Sequence, residues 1–237
     1  MLYIITLIVL VAIYVVTICL MKYMKRVQLT NAIFVSLVFV PYLALLLTIY
    51  LDVGLFDWNF TNALPTANVS PFMFCCAPLA LILPKKVKKH FLLLISLLSV
   101  GMFLSSVFGC IYNAVINYKF HIHFTYNYVA HFALSLFGVY LIKSKQVELN
   151  AKNVGISYLL IVGVATFMLV LNLIFDTAFF GLSLNGKHNI YNQVLVDNSY
   201  LSALLYYLGL TFVVGCGYLY SKIILKTCKH SPSLTDA

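Results

Sequence analysis

Charge is what this 237-residue chain has least of. Asp, Glu, Lys and Arg together make up 9% of it, and only six residues are acidic. A globular protein in water carries ~25% charged residues, so a chain this poor in them cannot clothe a water-facing surface. That shortage leaves no room for a separate soluble domain. The six cysteines show no CxxC spacing, which excludes the paired ligands of a structural zinc or a dithiol redox motif. GxSxG, Walker and HExxH patterns are missing, and no internal repeat points to a repeat-built transporter.

What is there is grease. Hydrophobic residues make up 63% of the chain and the mean hydropathy is +1.00. The net charge of +9 sits in short runs between apolar stretches, the pattern of topology signals rather than of a nucleic-acid surface. The expected surroundings are membrane lipids, with no nucleic-acid partner.

A spanning helix needs ~20 apolar residues, and seven segments qualify, at about residues 2–20, 31–51, 70–83, 91–112, 125–142, 154–175 and 200–225. The first lacks a basic region before it and small residues at a cleavage site, so it reads as a span rather than a signal peptide. The third is short and bounded by Pro71 and Pro84, with Pro78 inside. Proline frees backbone carbonyls that need other partners, so this segment is expected to be kinked and covered by its neighbours.

Lysine and arginine set the orientation. Lys22, Lys25, Arg26, Lys85, Lys86, Lys88, Lys89, Lys143, Lys145, Lys152, Lys222, Lys226 and Lys229 fall on one side of these spans, and only Lys119 and Lys187 on the other. By the positive-inside rule the expected fold is all-α: a polytopic seven-transmembrane-helix bundle in the cell membrane, amino terminus outside and carboxyl terminus inside. Residues 1–226 form one bundle and residues 227–237 a short cytoplasmic tail. A six-span alternative with a re-entrant third segment would break the alternation. Asp52, Asp57, Asp176 and Asp197 fall on the outer side, as do the two long connections. One contains Trp58 and the other Gly181 and Gly186. Loops of such length are often functional. The tyrosines near outer ends, Tyr112, Tyr118, Tyr126, Tyr128, Tyr191 and Tyr200, read as an interfacial belt.

Polar spacing on the fifth span is the most informative chemical signal. His123, Asn127 and His131 are four apart, so they share one face and drift by only ~40° per step. His131 lies twelve residues above Lys143, roughly 18 Å at ~1.5 Å per residue, well inside the hydrocarbon. Asn172 and Asp176 repeat the spacing on the sixth span, and Asn68 and Ser70 open the third. The expectation is a polar, outward-opening cavity lined by His123, Asn127, His131, Asn172, Asp176 and Asn68, taking a small molecule or a lipid. The competing expectation is that these groups only hydrogen-bond across helices. Metal binding is not expected: His121 and His123 form HxH at a helix start, without a third ligand. No cofactor is expected. Asn59 and Asn68 stand in NFT and NVS, the glycosylation pattern.

Leu64-Pro65 before the third span, Phe124 to His131 entering the fifth and Asn172 through Phe180 leaving the sixth resemble the YwaF-type bacterial integral membrane family. The likeness covers residues 60 to 210. It implies about seven spans, an outside amino terminus and, by its acyl-transferring relatives, a cysteine near the start of the third helix working with a histidine on a later one. His131 matches that histidine. The cysteine position holds Ala67 or Asn68, and the nearest thiol is Cys75, about two turns deeper. Three readings follow: a binding or transport protein, a lipid-modifying enzyme with His131 or His123 as base and Cys75 as nucleophile, and a structural or assembly partner. An enzyme requires the base within hydrogen-bond reach of the thiol.

Overall fold

The computed structural model describes residues 2–54, 63–65, 68–116, 121–175 and 199–228. Among them are seven α-helices and no strand: α1 (Leu2–Leu20), α2 (Val27–Val53), α3 (Val69–Ile82), α4 (Lys85–Ile116), α5 (Ile122–Lys143), α6 (Ala151–Phe175) and α7 (Ser199–Cys228). The chain is an all-helical membrane bundle.

Local chemistry places the boundaries. α2 ends at Gly54, whose φ of 87° lies where side chains are disfavoured and whose N–H still reaches the Tyr50 carbonyl, a glycine stop. Leu83 precedes Pro84 and is extended, with φ −65° and ψ 149°, because proline excludes the helical conformation from the residue before it. The Pro84 carbonyl then accepts from the Val87 and Lys88 N–H groups, so one proline ends α3 and opens α4. At the start of α6, Asn150 Oδ1 accepts from the Asn153 N–H at 2.8 Å, an N-cap bond.

Five helical segments are long and apolar enough to cross a membrane: Leu2–Tyr23, Val27–Val53, Lys85–Val115, Ala151–Phe175 and Ala203–Lys226. α3 is apolar but short, and α5 differs in kind. From Ala130 to Ile142 every α5 residue is buried, because α1, α2, α3, α4 and α7 all pack around it. A helix sheathed by protein rather than lipid tolerates polar side chains at depth. α1 and α6, by contrast, present rows of exposed Ile, Leu, Val and Phe, the surface that lipid tails cover. α3 buries Pro71, Met73, Phe74, Cys76, Ala77 and Ala80 against α2, α4 and α5, while Ile82 at its end is exposed.

Lipid gives apolar helices no hydrophobic reason to associate, so close packing of small residues must hold them together. α4 and α5 meet through Ser96, Ser99 and Gly138: a Cβ on Gly138 would lie 2.7 Å from Ser99 Cβ and 2.9 Å from the Ile95 carbonyl oxygen. Both serine hydroxyls bond to carbonyls of their own helix, Leu92 and Ser96, and so behave as small, satisfied residues. α7 approaches α4 in the same way, with Gly217 against the Leu97 backbone.

Candidate functional site

The buried histidine of α5 is the centre of the candidate site. His131 is 5% exposed. Its Nδ1 lies 2.8 Å from the backbone oxygen of Asn127, one turn earlier on the same helix. A carbonyl oxygen can only accept, so Nδ1 carries the proton and donates. Nε2 is therefore left as a lone-pair acceptor, and it has no hydrogen-bond partner among the described residues. The i−4 spacing seen in the sequence is real, but the group that uses it is the Asn127 backbone rather than its carboxamide.

α3 and α2 supply the wall. Phe74 meets the imidazole edge to face, with centroids 4.9 Å apart and planes at 88°, and Tyr42 leans on Phe74 at 5.4 Å. The Tyr42 hydroxyl donates to the Ala63 carbonyl at 2.9 Å, tying α2 to the segment that leads into α3. Cys75, one residue on from Phe74, is half-buried and a free thiol. No hydrogen bond joins Cys75 to His131 among the described residues, so thiol and imidazole do not form a nucleophile–base pair in this arrangement. Asn68 stands immediately before α3 in extended conformation, its carbonyl accepting from Phe72 N–H at 3.2 Å.

Toward the lysine-poor end, His123 is half-buried, its ring 5.3 Å from that of His121 and 4.3 Å from that of Phe124. Burial holds its pKa below the usual histidine range, the neighbouring His121 adds to the depression, and the Asp52 carboxylate at the end of α2 opposes both. The backbone N–H of His121 donates to the Tyr3 hydroxyl at 3.0 Å, which fastens α1 to the start of α5. Two imidazoles and a carboxylate thus gather above the His131 level.

The other expected lining residues divide. Asn127 is half-buried on α5, in line with His123 and His131. Asn172 is 2% exposed on α6, a helix that packs chiefly against α4 and α7. Asp176, Asn59 and Ala67 lie outside the described residues. Tyr128, expected in an interfacial belt, is instead a core residue: 3% exposed, its hydroxyl donates to the Gly109 carbonyl at 3.0 Å and is bonded by Asn113.

A second polar cluster escaped the sequence reading. At the lysine-rich end Asn31 and Gln146 exchange amide hydrogen bonds of 2.7 and 3.2 Å, Gln146 also donates to Ser144 Oγ at 2.7 Å, and Lys143 Nζ donates to the Ile18 carbonyl at 3.1 Å. The last residue of α5 and the turn after it therefore clamp the ends of α1 and α2. The only available signal was Gln146 in a short loop beside lysines, which resembles any solvated turn.

Among the described residues no three His, Cys, Asp or Glu side chains gather in a metal-binding arrangement. The chemistry on offer is hydrogen bonding: an oriented acceptor nitrogen in a largely apolar, aromatic wall, below a pair of imidazoles. No family model matches the chain, and neither do any curated protein or solved structure.

Proposed function

We propose that this chain is a membrane-embedded binding protein whose site centres on His131 Nε2. It opens toward the end that carries His121, His123 and Asp52. The lysine asymmetry supports an exterior position for that end. The ligand is a small molecule or lipid that presents an O–H or N–H group to the imidazole and apolar surface to Phe74 and Tyr42. One observation carries the reading: a buried imidazole whose protonated nitrogen is held by its own helix and whose acceptor nitrogen is left to receive a donor. His131 Nε2 is not among the fully buried unpartnered polar atoms, which supports its being within reach of a ligand, and intramembrane ionisable residues are by default functional.

The acyl-transfer reading lacks its central contact, since no hydrogen bond joins Cys75 to His131 among the described residues. The binding reading is tested by purifying the wild-type chain and His131→Phe, which keeps a ring against Phe74 but has no lone pair, and comparing co-purifying lipids and small molecules by mass spectrometry. The expected result is a species enriched with wild type and depleted about tenfold or more in the variant, the size of effect expected when a buried hydrogen bond is removed. Retention of the same species by His131→Phe would overturn the assignment.

A further inference from the structure

Of the fifteen Lys and Arg residues in the chain, Lys119, Lys187 and Lys229 lie outside the described residues, and the remaining twelve all occupy one end of the bundle. At that end the described residues include one carboxylate, Glu148, which accepts from the carboxamides of Asn150 and Asn153 at 3.4 and 3.1 Å rather than from a cation. The densest part is the corner between α3 and α4, where Lys85, Lys86, Lys88 and Lys89 crowd the start of α4. Among the described residues no ion pair neutralises them. Four ammonium groups this close repel one another unless counter-charge is supplied from outside the chain.

The same corner is apolar beside its charges. Ile82 is 78% exposed and Val87 42% exposed, so side chains that need hydrocarbon sit next to side chains that need anions. Lysine stems lie along such a surface while the ammonium reaches outward. Water-soluble anions satisfy only the second requirement, and a lipid with a negative headgroup satisfies both. We propose that the α3–α4 corner is a binding surface for anionic phospholipid, its phosphodiesters held by Lys85, Lys86, Lys88 and Lys89 and its acyl chains against Ile82 and Val87. Juxtamembrane clusters of four to eight basic residues bind anionic leaflets in this way. The proposal is independent of the His131 site at the opposite end.

The test uses the purified full chain in phosphatidylcholine bilayers containing spin-labelled phosphatidylglycerol or spin-labelled phosphatidylcholine, with electron paramagnetic resonance measuring the fraction of label immobilised at the protein. Phosphatidylglycerol is expected to associate about tenfold more strongly than phosphatidylcholine, with the preference lost in 0.5 M salt and unaffected by millimolar inorganic phosphate. Replacing the four lysines by Gln should reduce it to within twofold, while replacement by Arg, which keeps charge and insertion, should preserve it. Equal association of the two lipids with wild type would overturn the proposal, as would a preference that survives high salt, or displacement by inorganic phosphate.

Discussion

Gly138→Ala isolates the contact that holds the two central helices together. A single methyl group is added where the α5 backbone meets α4. The new Cβ would stand 2.7 Å from Ser99 Cβ, 2.9 Å from the Ile95 carbonyl oxygen and 3.1 Å from Ser96 Cα. Two of these neighbours are backbone and the third is a Cβ fixed to it, so no flexible side chain can move aside; the helices must separate. Overpacking of this kind costs ~1–3 kcal/mol, and the rigidity of the neighbours argues for the upper half, about 2–3 kcal/mol. Alanine also favours the helix over glycine by ~0.8–1.0 kcal/mol, leaving a net loss of about 1–2 kcal/mol.

Gly163 on α6 has nothing within 4 Å of its Cβ position, so Gly163→Ala carries the propensity gain without the clash. The difference between the two variants cancels propensity and leaves the overpacking alone, roughly a 30- to 150-fold difference in the folded-to-unfolded ratio. Reversible SDS unfolding in mixed micelles, followed by circular dichroism, measures both. A Gly138→Ala protein as stable as Gly163→Ala would refute the packing described between α4 and α5.

Two further outcomes follow from the polar groups. Asn31→Ala leaves the Gln146 amide without its reciprocal partner and should cost about 1–3 kcal/mol, whereas Asn31→Ala with Gln146→Ala should cost less than the sum of the single changes. A double-mutant cycle by the same unfolding assay checks this, and strict additivity would mean the pair is not coupled. The depressed pKa of His123 makes the folded chain bind its proton at lower pH than the unfolded chain does. As pH falls through the ordinary histidine range near ~6.5, the unfolded state gains protons first and stability declines. His123→Gln should flatten the fall in melting temperature between pH 7.5 and pH 5.5; an unchanged pH dependence would remove His123 as its source.

The helices were legible in the sequence because hydrocarbon imposes a length and a composition that few other environments demand. α1 begins and ends where its apolar run does. α4 extends beyond the expected 91–112 to Lys85–Ile116, because lysine is a good helix former and the apolar criterion stops where the charge begins, not where the helix does. α2 likewise starts at Val27 and passes through Pro41 before ending at Val53. Orientation within the bundle was much less legible. The His123, Asn127 and His131 spacing marks one face of α5, yet spacing along one helix carries no information about which neighbour covers it. Phe74 and Tyr42, which form the wall, are ordinary aromatic residues in apolar runs. Asn172 shows the same limit from the other side: its depth was inferable, but its helix packs on α4 and α7, and only tertiary contacts decide that.

The sharpest test of the arrangement is thiol accessibility in intact cells. With the six native cysteines replaced, single cysteines at position 121 (His121→Cys) and position 86 (Lys86→Cys), both exposed at opposite ends of the bundle, are treated with a membrane-impermeant maleimide. Modification of the first in intact cells, and of the second only after permeabilisation, is the expected outcome for a His131 site that opens outward. Modification of Lys86→Cys in intact cells would reverse the bundle and place the mouth of the site on the wrong side of the membrane.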